Sequence, residues 1–103
     1  MSKNKNKTIR KNLYTLFIDY DGATFIAQAK SKSLAKAPSK CIEKWNTEDI
    51  SSIFSDTDKL EILAQLENEM FVEINGLSNI WCGSVLLNNK LMLLNLVLTK
   101  NGT

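Results

Sequence analysis

Residues 80–99 constrain the fold of this 103-residue chain more than any other segment, because they are strongly apolar and carry a single charge, Lys90. Residues 80–87 and 91–99 are rich in Leu, Val and aromatic side chains. Asn88 and Asn89 between them tolerate positive φ, which is typical of a two-residue hairpin turn. Both alternating sets of side chains in the second strand are apolar. We therefore expect this hairpin at the centre of a sheet, covered on both faces or covered on one face and offered to a partner on the other.

Composition places the rest of the chain in a single folded domain. Hydrophobic residues make up 44% and charged residues 23%, which excludes a disordered chain. The apolar run is too short for a membrane span, and the N-terminus lacks the apolar segment of a secretory signal. Cys41 and Cys82 are predicted to be reduced, buried thiols rather than a disulfide. We expect a cytoplasmic protein in which residues 1–10 form a flexible basic tail and residues 11–103 a single α+β domain.

Charge is sorted along the sequence. Residues 1–42 carry nine Lys and Arg against two Asp, whereas residues 43–73 carry nine Asp and Glu against two Lys. Only the fold decides whether the two signs are also separated in space, since acidic helices could lie against basic strand ends.

Residues 13–20 alternate in polarity as a strand, Asp21-Gly22 supplies a turn, and residues 23–30 run back as its partner. Asp19 and Asp21 share one face of this hairpin and could form an acid/base pair. A turn aspartate and a strand-end aspartate also need no catalytic role. Because the chain contains no histidine and no other motif surrounds the two carboxylates, a structural role is favoured.

Two helices are predicted in the middle of the chain. The first begins near Ala37 or Pro38 and places Cys41, Ile42 and Trp45 on its buried face. A capping box of Ser55 with Asp58, or of Asp58 with Glu61, starts the second helix. That helix should run to about residue 68, with its predicted buried stripe formed by Leu60, Leu63, Ala64 and Leu66.

A short strand over residues 69–74 precedes the central hairpin. The order β-β-α-α-β-β-β predicts an α+β fold, an antiparallel sheet of four to five strands with two helices packed on one face. In such a fold, the opposite face would still carry large apolar side chains from the last hairpin, and an exposed apolar patch usually marks an interface.

Catalytic motifs are absent from the sequence. It contains no histidine, no Cys-x-x-Cys pair, no Gly-rich phosphate loop and no nucleophile with an evident base. We therefore expect a binding protein rather than an enzyme, with no metal, cofactor or small-molecule substrate.

Four segments resemble a family of small bacterial proteins. They are DYDGATFIAQ at residues 19–28, EKW at 43–45, GLSNIWC at 76–82 and KLMLLNLV at 90–97. Over residues 13–99 the chain resembles the immunity proteins of contact-dependent growth inhibition systems. The resemblance implies a cytoplasmic protein that binds and occludes the toxin domain delivered by a neighbouring cell.

Many toxins of these systems cleave RNA or DNA, and a protein that binds polyanions presents a basic cleft. The acidic segment could therefore mimic nucleic acid, with complementary charge speeding association and buried anchors setting the lifetime of the complex. The implied partner is the C-terminal domain of a cognate toxin. The candidate contacts are Glu48, Asp49, Asp56, Asp58, Glu61, Glu67 and Glu69, with Tyr20 as an aromatic anchor.

Other functions stay open. A nucleic-acid binder would use the basic tail and Lys30, Lys32, Lys36 and Lys40, although the tail's cations have no aromatic residue among them. A structural homodimer would be joined through the last hairpin. A small enzyme would need a pocket around Asp19 and Asp21.

Overall fold

A computed structural model describes residues 10–45 and 54–102. These residues form one antiparallel sheet and two helices, with the predicted order β-β-α-α-β-β-β. The strands are β1 (Asn12–Tyr20), β2 (Ala23–Ser31), β3 (Val72–Glu73), β4 (Ile80–Leu87) and β5 (Lys90–Lys100), and the helices are α1 (Ala37–Glu43) and α2 (Asp56–Leu66). The predicted α+β fold with both helices on one sheet face is confirmed.

The last hairpin lies inside the sheet, as its sequence predicts. The strand order is β2-β1-β5-β4-β3, so β5 is hydrogen-bonded to β1 on one side and to β4 on the other. Asn88 and Asn89 have φ of 53° and 64°, the left-handed conformation that a two-residue hairpin turn requires. The first hairpin turns at Asp21 and Gly22, where φ is 52° and 84°.

The core lies between the sheet and the helices. The side chains of β1 and β5 with even residue numbers point into it, and Leu16, Ile18, Met92, Leu94 and Leu96 are completely buried. At one end of this core, the Phe54 ring lies among three other aromatic rings, with centroid distances of 4.9 Å to Trp45, 5.3 Å to Phe25 and 5.4 Å to Tyr20. Apolar area removed from water along this layer is the main stabilising term of the fold.

Helix α1 begins where the proline predicts. Pro38 occupies the first helical turn, where its missing N–H leaves no bond unmade. Cys41 and Ile42 are fully buried and Trp45 nearly so, which confirms the predicted face.

Helix α2 begins with a capping box. Asp58 N–H donates to Ser55 Oγ and Ser55 N–H donates to Asp58 Oδ2, both at 3.0 Å. The predicted buried stripe is partly wrong, because Leu60 is 67% exposed and Ala64 is exposed, whereas Ile62 and Leu66 are buried. The apolar residues of this helix are spread around its circumference, so the hydropathy pattern alone did not identify its buried face.

The outer edge of β4 is covered mainly by side chains rather than by a strand. The pairing of β3 covers only Cys82 and Trp81, so the predicted strand over 69–74 is shorter than expected. Beyond it, Ser84 N–H donates to Glu69 Oε2 at 2.9 Å. Gln65 then receives the Leu86 N–H at Oε1 and donates from Nε2 to the Leu86 carbonyl. These bonds satisfy an edge that would otherwise be open to other strands.

Both cysteines are free thiols, but only one matches the expected burial. Cys41 is fully buried, whereas Cys82 is exposed. The prediction of a buried Cys82 is wrong because its side chain points to the sheet face opposite α1 and α2. No helix within residues 10–45 and 54–102 is long and apolar enough to cross a membrane. The predicted tail, apart from Arg10, lies outside the described residues.

Candidate binding surfaces

The predicted acidic residues gather along α2 and the turn after it. Asp56, Glu61 and Glu67 are exposed, and Asp58 and Glu69 are half-buried. Glu48 and Asp49 lie outside the described residues. We call the five described carboxylates the acidic surface: Asp56, Asp58, Glu61, Glu67 and Glu69.

Two members of the acidic surface also hold the local structure. Asp58 closes the capping box of α2, and Glu69 accepts the backbone N–H of Ser84. Glu61 accepts a hydrogen bond from Gln65 Nε2 at 2.9 Å, a side-chain contact on the surface of α2, while Gln65 also bonds to the Leu86 backbone. Substitutions of Asp58 or Glu69 would therefore mix binding with folding, whereas Glu61 and Glu67 can be changed with less effect on the fold.

The cation of α2 turns away from the acidic surface. Lys59 Nζ donates to the carbonyl oxygens of Trp45 at 2.9 Å and of Glu43 at 3.2 Å, at the end of α1. These carbonyls lie at the negative end of the α1 dipole, where a cation is favoured. Because Lys59 is used there, the outer side of α2 presents carboxylates without a neutralising ammonium from its own helix.

An apolar strip runs through the acidic surface. Leu60 and Ala64 are four residues apart on α2, so they lie one above the other on its outer side. Met70 just beyond the helix is 81% exposed. The sequence pattern predicts Leu60 and Ala64 in the core, but the inward-turned residue is Lys59, whose position the hydropathy pattern does not indicate.

Tyr20 lies in the core rather than on a surface. It is 8% exposed, and its hydroxyl donates to the Leu87 carbonyl oxygen at 2.8 Å. Since its hydrogen-bond donor is used and its ring packs against Phe54, Tyr20 has almost no area to offer a partner. We leave it out of the binding surface proposed below.

The sheet face opposite the helices carries the expected apolar side chains from the last hairpin. Leu86 and Leu91 are cross-strand partners, 54% and 56% exposed, and Leu93 is 47% exposed. Cys82 and Ile26 lie on the same face. We call this set the sheet face, and it agrees with the predicted alternative of a hairpin covered on one side only.

The first hairpin turn engages its two carboxylates in local bonds. Thr24 Oγ1 donates to Asp19 Oδ1 at 2.6 Å, and Lys90 Nζ pairs with Asp21 Oδ2 at 3.0 Å. The shallow depression beside them is lined by Leu91 and Leu93 and by residues of the turn itself. Each carboxylate thus stabilises the turn region, which is the structural role favoured for them above.

A second charged surface, of opposite sign, lies at the other end of the helical layer. An open groove of about 930 Å³ follows the free end of β2 and the outer side of α1. Its lining contains one carboxylate, Glu43, and no aromatic residue. We call it the lysine groove after the six ammonium groups around it: Lys11, Lys30, Lys32, Lys36, Lys40 and Lys44.

The charge sorted along the sequence is therefore also sorted in space. Helix α1 packs against β2 and carries the lysine groove, while α2 packs against β4 and carries the acidic surface. The two charges meet in a smaller cleft between the helices, where Lys36 and Lys40 lie near Glu43 and Glu67. Within the described ranges, no group of three or more His, Cys, Asp or Glu side chains is arranged to hold a metal ion.

Comparison of the chain with protein-family models, curated proteins and solved structures finds no match. Its function is therefore inferred from its own residues and their geometry.

Proposed function

We propose that this chain is an immunity protein, which binds a cognate toxin domain acting in the cytoplasm and blocks its active site. The toxin is proposed to be a nuclease, whose cleft for RNA or DNA is basic. The observation that carries this proposal is the acidic surface of α2, from which Lys59 is turned away. Blocking of this kind needs no catalytic group from the inhibitor.

The outer side of α2 has the composition of a protein-binding site. Leu60 and Ala64 offer an apolar centre, and Asp56, Glu61 and Glu67 offer a charged rim. In protein interfaces, buried apolar anchors contribute most of the affinity, and the surrounding charges set specificity. Carboxylates facing a basic cleft also steer the encounter and raise the association rate at low ionic strength.

Charge reversal on this surface is expected to abolish protection. The double variant Glu61→Lys with Glu67→Lys changes two exposed carboxylates and leaves the capping box intact. We expect cells that coexpress it with the toxin domain encoded directly upstream to stop growing, whereas the wild-type chain restores growth and copurifies with the toxin. Loss of steering and of the charged rim should weaken the complex by about 10-fold or more.

Glu73→Gln is the control, since Glu73 is exposed on β3 and outside the acidic surface, and the glutamine amide oxygen can still accept the Asn79 N–H that Glu73 Oε2 accepts at 3.1 Å. It should protect as well as the wild type. If the wild-type chain neither rescues growth nor copurifies with the toxin domain, the immunity proposal is overturned. Equal protection by the double variant would keep immunity but move the contact away from α2.

The sheet face favours a second candidate, a homodimer joined through the last hairpin. Leu86, Leu91 and Leu93 form a continuous apolar area on β4 and β5, which is where two copies could pack. This arrangement would leave both charged surfaces free.

Leu93→Lys tests the homodimer. Sedimentation equilibrium of the wild type at micromolar concentration should show a dimer, and the variant should be monomeric, because two ammonium groups would be buried without partners. Leu60→Lys, an exposed leucine on α2, is the control and should leave the dimer intact. A wild type that is monomeric up to millimolar concentration would refute this candidate.

A further inference from the structure

The proposed function does not use the lysine groove, and the clustering of lysines there has no evident role in stabilising the fold. Its lysines come from separate parts of the chain: Lys11 precedes β1, Lys30 ends β2, and the others flank or belong to α1. All six are exposed, and no ion pair joins any of them to a carboxylate within the described residues. The groove therefore gathers six ammonium groups around a single carboxylate, Glu43.

Helix α1 bears an energetic cost for this arrangement. Lys36, Lys40 and Lys44 are spaced four residues apart, so their side chains lie along one side of the helix and repel each other. Each such pair costs about 0.2–0.5 kcal/mol. Lys36 also occupies the N-cap, at the positive end of the helix dipole and without a side-chain capping bond. Lys40 in the last turn is favoured by the negative end of the helix dipole, but Lys36 is not, and a bound polyanion would relieve the repulsion among the three lysines.

The other three lysines line the groove from the edge of the sheet. Lys30 lies near the free end of β2 opposite Leu13, Lys32 follows in the bend after β2, and Lys11 precedes β1. All three side chains are exposed, whereas Ala29 and Ser31 are buried toward the core. Ammonium groups spread along an open groove match an extended anion better than a single small one.

The lining also indicates how such an anion would be recognised. It contains no arginine to grip a phosphate or a guanine through two bonds, and no aromatic ring on which a base could stack. Lysine is a point charge that contacts phosphate without reading sequence. We propose that the lysine groove binds the phosphodiester backbone of nucleic acid, independently of base sequence. This binding does not rest on the immunity function.

The sequence alone disfavours nucleic acid as a partner, because it indicates only the tail and Lys30, Lys32, Lys36 and Lys40, and the tail lacks aromatic residues. Folding adds Lys11 and Lys44 to the four and places all six around one groove. For backbone contacts alone, aromatic residues are not required, since counterion release supplies the affinity.

The test compares two double variants of the full chain that each remove two positive charges. Lys36→Gln with Lys40→Gln lies in the groove, and Lys90→Gln with Lys100→Gln lies outside it. Fluorescence anisotropy is measured with 20-bp duplexes of RNA and of DNA in two unrelated sequences, from 50 to 200 mM salt. The wild type should bind both sequences equally, with a salt slope near −5 if all six lysines contact phosphates.

The groove variant should lose about 10-fold or more in affinity, and its salt slope should shrink by about 2. The outside variant should stay within about 2-fold of the wild type, and Glu43→Gln should bind more tightly. Tighter binding to the RNA or to the DNA duplex would identify which of the two nucleic acids supplies the phosphodiester backbone.

Three results would overturn the proposal. One is the absence of binding at 50 mM salt, and another is an equal loss in the two double variants. The third is tighter binding to poly-glutamate than to either duplex, which would assign the groove to an acidic protein. All four lysines are exposed, so both variants should fold, and circular dichroism checks that they do.

Discussion

Phe54→Ala is expected to lower the free energy of unfolding by about 3–5 kcal/mol, a large part of the stability of a domain this size. Phe54 is 1% exposed, and its ring fills the space between Trp45, Tyr20 and Phe25. It immediately precedes the capping residue of α2, so its side chain anchors the start of that helix against the sheet. Removing it leaves a cavity that four elements cannot close without moving together.

Urea unfolding followed by tryptophan fluorescence measures this change, because Trp45 reports directly on the altered site. Leu60→Ala is the matched control, since Leu60 is largely exposed and its loss should change stability by less than about 0.5 kcal/mol. If Phe54→Ala also unfolds within 1 kcal/mol of the wild type, the aromatic contacts do not anchor α2.

The four strands of the two hairpins were predictable because each carries its own local signal, whereas β3 is shorter than its sequence pattern suggests. Asn88-Asn89 and Asp21-Gly22 fix two hairpins by their tolerance of positive φ, and alternating side chains fix which face is buried. The position of β5 at the centre follows from its length and from the uncharged run between Lys90 and Lys100. These features depend on residues close in sequence, so no long-range information was needed.

The position of helix α2 along the chain was predicted from its capping box, but its buried face was not, for the opposite reason. Five apolar residues lie around its circumference, and the packed side was decided by contacts with distant groups. Lys59 reaches the carbonyls at the end of α1, and Gln65 bonds to the backbone of β4. Both contacts favour burying Ile62 and Leu66 while Leu60 faces outward. A polar side chain that turns inward to satisfy a backbone group gives no signal in a hydropathy pattern.

The lysine groove was likewise hidden in the sequence. Lys11 and Lys44 are separated by 32 other residues, and only the hairpin and α1 bring them to one channel. Charge summed along the chain indicated a basic half but no site. The fold brings six of these lysines around one groove, and this arrangement allows a class of ligand to be proposed.

The two cysteines are expected to react with a thiol reagent at very different rates in the native protein. Burial raises the pKa of the Cys41 thiol to about 11 from its ordinary 9.0, and a backbone hydrogen bond from Ala29 opposes this only in part. At pH 8 its thiolate fraction is then about a hundredth of that of an ordinary thiol. We expect Cys82 to react at once with Ellman's reagent and Cys41 more than about 100-fold more slowly.

In urea both thiols should react at the same rate, and Cys82→Ser should remove the fast phase alone. Equal rates in the native protein would contradict the burial of Cys41. The raised pKa also predicts a direction for stability. Between pH 9 and 11 the thiol of the unfolded chain ionises first, so the free energy of unfolding should fall as pH rises through this range.

The reactivity of Cys82 then separates the proposed binding surfaces, because Cys82 lies on the sheet face, opposite the side that packs against α2, and does not line the lysine groove. A bulky maleimide attached there is expected to prevent self-association through the last hairpin and to leave toxin binding and duplex binding unchanged. In a complex formed through α2, Cys82 should still react as fast as in the free chain. Protection of Cys82 by the toxin domain would instead place the toxin on the sheet face, and the acidic surface would then lose its assigned role.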